Sequence, residues 1–270
     1  MKNIVCIGGG TGMPRVLTAL KPHDVHLSAI VTMADDGGSA GILREEYGGL
    51  PPGDVRRVLV ALSDADQSLK DLFLYRFQEG GLKDHVVGNI MLKALELKHG
   101  SFLQAIKEAR KVLQVGGDVI PVTLDSVRLC ATFKNGLTVQ GEKNIDNVEH
   151  RSWPVEKIWL DPHATPNPKA LEVIAAADLI VIGPGGFYYS LIPNFLVTGI
   201  SEAVKASGAK KIFVANVTNQ IDGMEIDDYV HELRQYIPID AVIPPTPDII
   251  DVATGQHNSG EKLSNAILNY

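Results

Sequence analysis

The sequence predicts a doubly wound, mainly parallel α/β sheet carrying a helical insertion and a small β-hairpin extension. Three observations carry that prediction. Apolar runs of strand length alternate with helical patterns, glycine-rich loops open at several strand carboxyl ends, and one Asn-Gly pair sits between two short strand patterns. In such sheets ligands lie across the carboxyl ends of the strands, where strand order reverses, so those loops are the first place to look for a site.

The first strand, Ile4-Val5-Cys6-Ile7, breaks into Gly8-Gly9-Gly10-Thr11-Gly12, and Pro14 then stands where a first helical turn accepts it. Val16, Leu17 and Leu20 continue at helical spacing. Strand, glycine loop and helix together aim free N–H groups at an anion, with glycine admitting a phosphate to the backbone. Met13 occupies the third-glycine position of the dinucleotide fingerprint, so that fingerprint is incomplete. A packing turn is the plainer alternative.

A second strand over 27–33 ends in Ala34-Asp35-Asp36-Gly37-Gly38-Ser39, read as a polar glycine loop. Leu50-Pro51-Pro52-Gly53 is a rigid turn into a helix, with Asp54 placed to cap it or to contact a ligand. Residues 55–115 are helical in pattern and form the predicted insertion over one side of the sheet. Strands resume at 119–124 and 127–133, and Asn135-Gly136 predicts a hairpin within a region spanning about 126–150. A strand over 158–161 and a helix over 169–177 follow.

The second half repeats the theme. A buried-type strand over 178–182 breaks at Gly183-Pro184-Gly185-Gly186, and a helix runs through Leu196 to about Ala206. A strand over 212–217 ends at Asn216 and 218–220, and a helix over 225–235, a short strand over 241–243 and a terminal helix over 261–268 complete the reading. The whole chain, 1–270, is expected to form one domain.

Composition narrows the function. The 270 residues are 45% hydrophobic, with mean hydropathy +0.06, as in an ordinary packed globule. A net charge of −7 opposes a nucleic-acid footprint, which needs clustered excess Lys and Arg. No apolar run reaches membrane-spanning length, and the first residues enter a strand without a signal-peptide profile. The two cysteines, Cys6 and Cys130, lie far apart in apolar runs and read as buried thiols. The expectation is a cytoplasmic protein with no nucleic-acid partner and no membrane insertion; a homodimer is left open.

Candidate ligand residues follow from these loops. Gly9, Gly10, Thr11 and Gly12 offer backbone donors to phosphate; Gly37, Gly38 and Ser39 offer N–H and hydroxyl donors, or simply a flexible loop. Asp35 and Asp36 read as Mg²⁺ or ribose ligands, or as turn formers, and are the only catalytic candidates. Arg56 is a diphosphate clamp or the partner of an acid, and Asn89 an amide donor and acceptor for a base or sugar. Gly185, Gly186, Tyr188 and Ser190 belong to the second glycine loop, with Tyr188 or Tyr189 set to stack on a ring or to fill core, and Asn216 orients a ligand or ties a loop. No Ser-His-Asp elbow, zinc spacing or Walker lysine is visible, which favours a binding protein or a transferase working by positioning and electrostatics.

The ordered set 8–12, 34–39, 50–56, Ala61-Leu62-Ser63-Asp64, Gly88-Asn89 and 183–185 resembles the YvcK-type gluconeogenesis factors, in the superfamily that also holds the 2-phospho-L-lactate transferase CofD. The resemblance runs from the first residue to about Asp228. It implies a Rossmann-like core, cytoplasmic location, UDP-sugar binding (UDP-N-acetylglucosamine, for example) and a role in central carbon and cell-envelope metabolism and cell shape. The transferase branch implies the alternative: Mg²⁺ and a nucleotide-activated phospho-acid donor. Leu50-Pro51-Pro52-Gly53-Asp54-Val55-Arg56 points to the gluconeogenesis-factor branch. The chain departs from the family pattern at Gly186-Phe187-Tyr188-Tyr189 and at Asp84-His85.

Overall fold

The computed structural model describes residues 1–147, 153–216, 224–245 and 258–270. Among the described residues, nine strands make two sheets. The larger is wholly parallel, with order β3-β2-β1-β7-β8-β9, built from β1 (Lys2–Gly8), β2 (Val25–Val31), β3 (Asp118–Pro121), β7 (Leu179–Ile182), β8 (Lys210–Val214) and β9 (Ala241–Ile243). The smaller is antiparallel, order β5-β4-β6, from β4 (Arg128–Phe133), β5 (Thr138–Gln140) and β6 (Val155–Asp161).

The central strands are apolar on both sides, as a sheet covered on both faces requires. On β1, Val5 and Ile7 enter one core with Ile30, Ile180 and Ile182, while Ile4 and Cys6 enter the opposite one with Ala29, Leu179 and Val181. That alternation is the two-residue period of the strand. Burial pushes the Cys6 thiol up to about 12, which fits an inert core residue. Cys130 is also buried and free.

Helices fill the connections. The first, α1 (Met13–Leu20), packs on the sheet and against the terminal α12 (Asn258–Leu268). Five helices separate β2 from β3: α2 (Gly38–Tyr47), α3 (Gly53–Ala61), α4 (Gln67–Leu74), α5 (Val87–His99) and α6 (Phe102–Val112). The helical region thus starts earlier than its apolar pattern suggested. Gly38 and Ser39, expected within a glycine loop, instead open a helix that runs to Tyr47, because the apolar stripe of Ala40 and Leu43 sits behind two glycines that disguise the start.

The expected hairpin forms, with Thr132 opposite Thr138 and the Asn135-Gly136 pair at the turn, and its sheet is completed by β6. A single-turn helix, α7 (Glu142–Ile145), follows β5. Next come α8 (Pro168–Ala175), a π-helical turn over Phe187–Leu191, α9 (Ile192–Leu196), α10 (Ile200–Ala206) and α11 (Ile226–Leu233). The helix expected to run to Ala206 is therefore broken, at Gly199, which adopts a positive φ.

Strand order reverses between β1 and β7: the chain moves outward through β2 to β3 on one side and through β8 to β9 on the other. This is the topological switch point, and the two glycine loops leave its adjoining strands. Among the described residues no helix is long and apolar enough to cross a membrane.

Candidate functional site

The loops after β1 and β7 are pressed together at that point. A Cβ on Gly12 would collide with the Pro184 carbonyl, so only glycine permits the approach. Above them opens a cavity of about 600 Å³, walled by α2, α3, the Arg76 and Asn89 region, α7 and the second glycine loop. Four helices start at its rim, α1, α2, α3 and α5, and none has a side-chain cap on its N-terminus. By contrast α6, α8 and α11 are capped by Ser101, Asn167 and a Glu225–Asp228 capping box. Uncapped N-termini turned towards one cavity leave N–H groups and positive helix ends for an anion. Uncapped starts also occur elsewhere, at α4 and α10; what sets the cavity apart is that four of them converge on it.

The cavity is electrically divided. Arg15, Arg56, Arg57 and Arg76 supply cations. Arg56 is only 4% exposed, and burial followed by repulsion from Arg57 and Arg76 pulls it down to about 10; its Nε has no hydrogen-bond partner. Facing this group are Asp35, Asp54 and Glu142. Burial and then Asp54 push Asp35 up to about 7, against an opposing N–H from Gly37 at 2.8 Å. Burial likewise raises Asp54, opposed by Arg57, and raises Glu142, which also meets the fields of Asp35 and Asp54. Such a division suits a ligand with a strongly anionic end and a second, cationic or hydrogen-bond-donating part.

The structure brings most of the expected residues to this cavity. Thr11, Gly12, Asp35, Gly37, Gly38, Ser39, Arg56, Asn89, Gly185, Gly186 and Asn216 all line it. Thr11 Oγ1 accepts from Arg57 Nη1 at 3.0 Å. Ser39 Oγ accepts from Val86 N at 3.1 Å and lies 3.4 Å from His85 Nδ1, so it already ties the 85–86 turn to α2. Asn216 brackets Gly185, accepting from its N–H at 3.0 Å and donating to its carbonyl at 2.6 Å. Asn89 is 3% exposed and its Oδ1 has no hydrogen-bond partner. Of the loop expected after β8, residues 218–220 lie outside the described residues.

Five expectations change. Gly9 and Gly10 are buried and do not line the cavity: Asp54 and Ser190 pack over Gly9, and the Gly10 backbone N–H bonds Asp54. An acid of the chain itself thus occupies the inner part of the loop, leaving Thr11 and Gly12 as its open edge. Asp54 is no cap, because Pro52 holds that position and Asp54 lies inside the first turn. Ser190, packed against Gly9, is buried and does not line the cavity. Tyr188 turns into the core, edge-to-face with Phe187, and burial raises its hydroxyl; Tyr189 takes the place in the cavity, its ring across Gly186. Asp36 faces α7 instead, where its Oδ1 accepts from Lys143 N at 3.1 Å.

A metal pair is therefore better drawn as Asp35 with Asp54 than as Asp35 with Asp36. Their mutual repulsion in a buried setting is what a divalent cation relieves. Among the described residues no group of three or more His, Cys, Asp or Glu is arranged to hold a metal ion. Mg²⁺ there would lean on ligand phosphates for the rest of its shell. Sequence reading missed Arg57, next to the expected Arg56, and Arg15, Arg76, Glu142 and Asp146, charges that belong to no local pattern.

Comparison with known proteins agrees with this fold. A family model described as 2-phospho-L-lactate transferase CofD matches residues 4–265. A putative gluconeogenesis factor of Aquifex aeolicus is 46% identical over 251 residues, covering 89% of this chain and 76% of that protein. The gluconeogenesis factor of Listeria monocytogenes is 40% identical over 272 residues, covering 95% and 83%. A crystal structure of a UPF0052-family protein from Bacillus halodurans superposes with a TM-score of 0.91 at 35% identity, covering 99% of this chain and 100% of that one.

Proposed function

The chain belongs to the gluconeogenesis factor family, and on that premise we propose that it binds a nucleotide sugar of the UDP-sugar class and acts as a regulator of central carbon and cell-envelope metabolism, with an effect on cell shape. The observation that carries the reading is the cavity at the switch point, where uncapped helix ends and four arginines meet a wall of acids. Diphosphate oxygens suit the arginines and the N–H groups of α2 and α3. Tyr189 offers a ring face to a base, and Asn89 offers amide hydrogen bonds that need no titration.

Ser39 Oγ, although 3.4 Å from His85 Nδ1, is already engaged by Val86 N, and binding comes first in this reading. Calorimetric titration with UDP-N-acetylglucosamine tests it. Saturable heat at micromolar to millimolar ligand supports the reading; no heat at millimolar ligand with folded protein discards it.

The Asp35–Asp54 pair favours a second reading, a Mg²⁺-dependent transferase acting on a nucleotide-activated phospho-acid. Bound Mg²⁺ would supply charge neutralisation for phosphate oxygens. The chain's own part is to orient the phosphates with Arg56 and Arg57 and to hold the two carboxylates against them. Turnover of a nucleoside-diphosphate-linked phospho-acid that disappears in Asp54→Asn, with nucleotide binding retained, supports this second reading.

A further inference from the structure

Glu142 enters the cavity from an unexpected direction. It begins α7, more than a hundred residues beyond the first glycine loop, just after the β5 strand of the antiparallel sheet. Three contacts fix its place. Ile145 is buried in the core, Lys143 N donates to Asp36 Oδ1 at 3.1 Å, and Gly141 stands at φ 99° with Asp36 so close that a Cβ has no room. With α7 held in this way, Glu142 faces the cavity while its Oε2 is buried and has no hydrogen-bond partner.

A buried oxygen without a donor is costly, because nothing replaces the water it loses on burial. Asn89 Oδ1 is in the same condition on another wall, and Arg56 Nε is a donor in the same condition. The cavity thus lacks two different things: an acceptor for Arg56 Nε, and hydrogen-bond donors beside Glu142 and Asn89. Phosphates meet only the first need, since their oxygens accept and their charge is repelled by the acids. Hydroxyls and amide N–H groups meet the second.

We propose that Glu142 is a specificity-determining residue that accepts hydrogen bonds from the hydroxyl or amide donors of a sugar, while the arginine wall holds the diphosphate of the same ligand. This rests on the nucleotide-sugar reading and adds to it the polarity of binding: anionic end towards Arg56 and Arg57, neutral polyol end towards α7. A site whose buried acceptor needs a donor discriminates strongly against an analogue lacking one.

The test is calorimetric titration of UDP and of UDP-N-acetylglucosamine into the full chain and into Glu142→Ala and Glu142→Gln, in excess Mg²⁺. The wild-type chain is expected to prefer the sugar nucleotide by about 10-fold or more, the worth of satisfying a buried acceptor that otherwise has no partner. Glu142→Ala erases that preference and leaves UDP affinity within about twofold; Glu142→Gln, whose amide oxygen still accepts, keeps part of it. A melting temperature at or above that of the wild type shows that the variants are folded, since one of several mutually repelling acids has gone. Equal loss of both ligands, a preference unchanged in Glu142→Ala, a loss reversed by raising Mg²⁺, or a wild type indifferent to the sugar each overturns this inference and leaves nucleotide binding standing. A wild type that binds neither ligand overturns the nucleotide-sugar reading itself, and this inference with it.

Discussion

Asp54 lies directly over Gly10: a Cβ built on that glycine would stand 2.5 Å from Asp54 Cα and 2.7 Å from its Oδ1. The approach lets the loop N–H meet an internal carboxylate and fixes α3, with Arg56 and Arg57, against β1. Gly10→Ala is expected to force the two apart and destabilise the fold by roughly 1–3 kcal/mol, as overpacking does. Gly81→Ala, with nothing within 4 Å of its Cβ position, is the control. Denaturant melts of both variants check it; equal midpoints would show that the contact yields freely.

Arg56 is the cation the cavity encloses most deeply among those lining it, and its guanidinium keeps one donor unpaired. Lysine replaces a planar fork by a point charge, so Arg56→Lys is not conservative here. Affinity for UDP is expected to fall about 10-fold, in line with loss of a charge-assisted hydrogen bond. Titration at two salt concentrations measures it. An unchanged dissociation constant would move the phosphates elsewhere.

Much of this site was legible in the chain, and the part that was not has physical causes. Ile4 to Gly12 and residues 179 to 186 announce strand-to-loop breaks, because apolar runs of strand length end abruptly in glycine. The switch point followed from the alternation of elements. Tyr188 was misplaced because Phe187–Leu191 is a π-helical turn, whose wider winding shifts which side chain faces inward. The plug on Gly10 was hidden because Asp54 is distant in sequence and reads locally as a cap. Glu142 had no signal at all: its role depends on where a hairpin and one turn of helix come to rest.

Asp35 makes the fold sensitive to pH in a stated direction. Its carboxyl rises from an ordinary 3.8 to about 7 on folding, through burial and then Asp54. A group raised in this way stabilises the fold in its protonated form; that contribution is whole below about pH 4 and is lost as pH climbs through 7. Asp35→Asn is therefore expected to melt higher than the wild type at pH 8, by a few degrees at roughly 2–4 °C per kcal/mol, and to differ little at pH 4. If Asp35 and Asp54 hold Mg²⁺, the ion stabilises the wild type more at pH 8 than at pH 5. Thermal melts across this range decide it; a variant that tracks the wild type at every pH refutes the role given to Asp35.

The turn that delivers α3 to the cavity is itself held from below by a buried cation. Lys93, 2% exposed on α5, donates to Gly48 O at 2.6 Å and Leu50 O at 3.3 Å and pairs with Glu96. It therefore fixes the backbone just before Pro51-Pro52-Gly53, and through it the position of Asp54 and Arg56. Lys93→Met leaves the half-buried Glu96 carboxylate without its cation, with only Leu50 N still donating to it, which costs about 2–3 kcal/mol. Adding Glu96→Leu removes that stranded charge, so the double variant is expected to regain much of the loss. It does not regain all, because the two carbonyls still lack their donor. A double-mutant cycle by denaturant melts gives the coupling, and UDP titration of the folded double variant reads the effect on the site. Additive losses in that cycle would show that the pair is not what holds the turn.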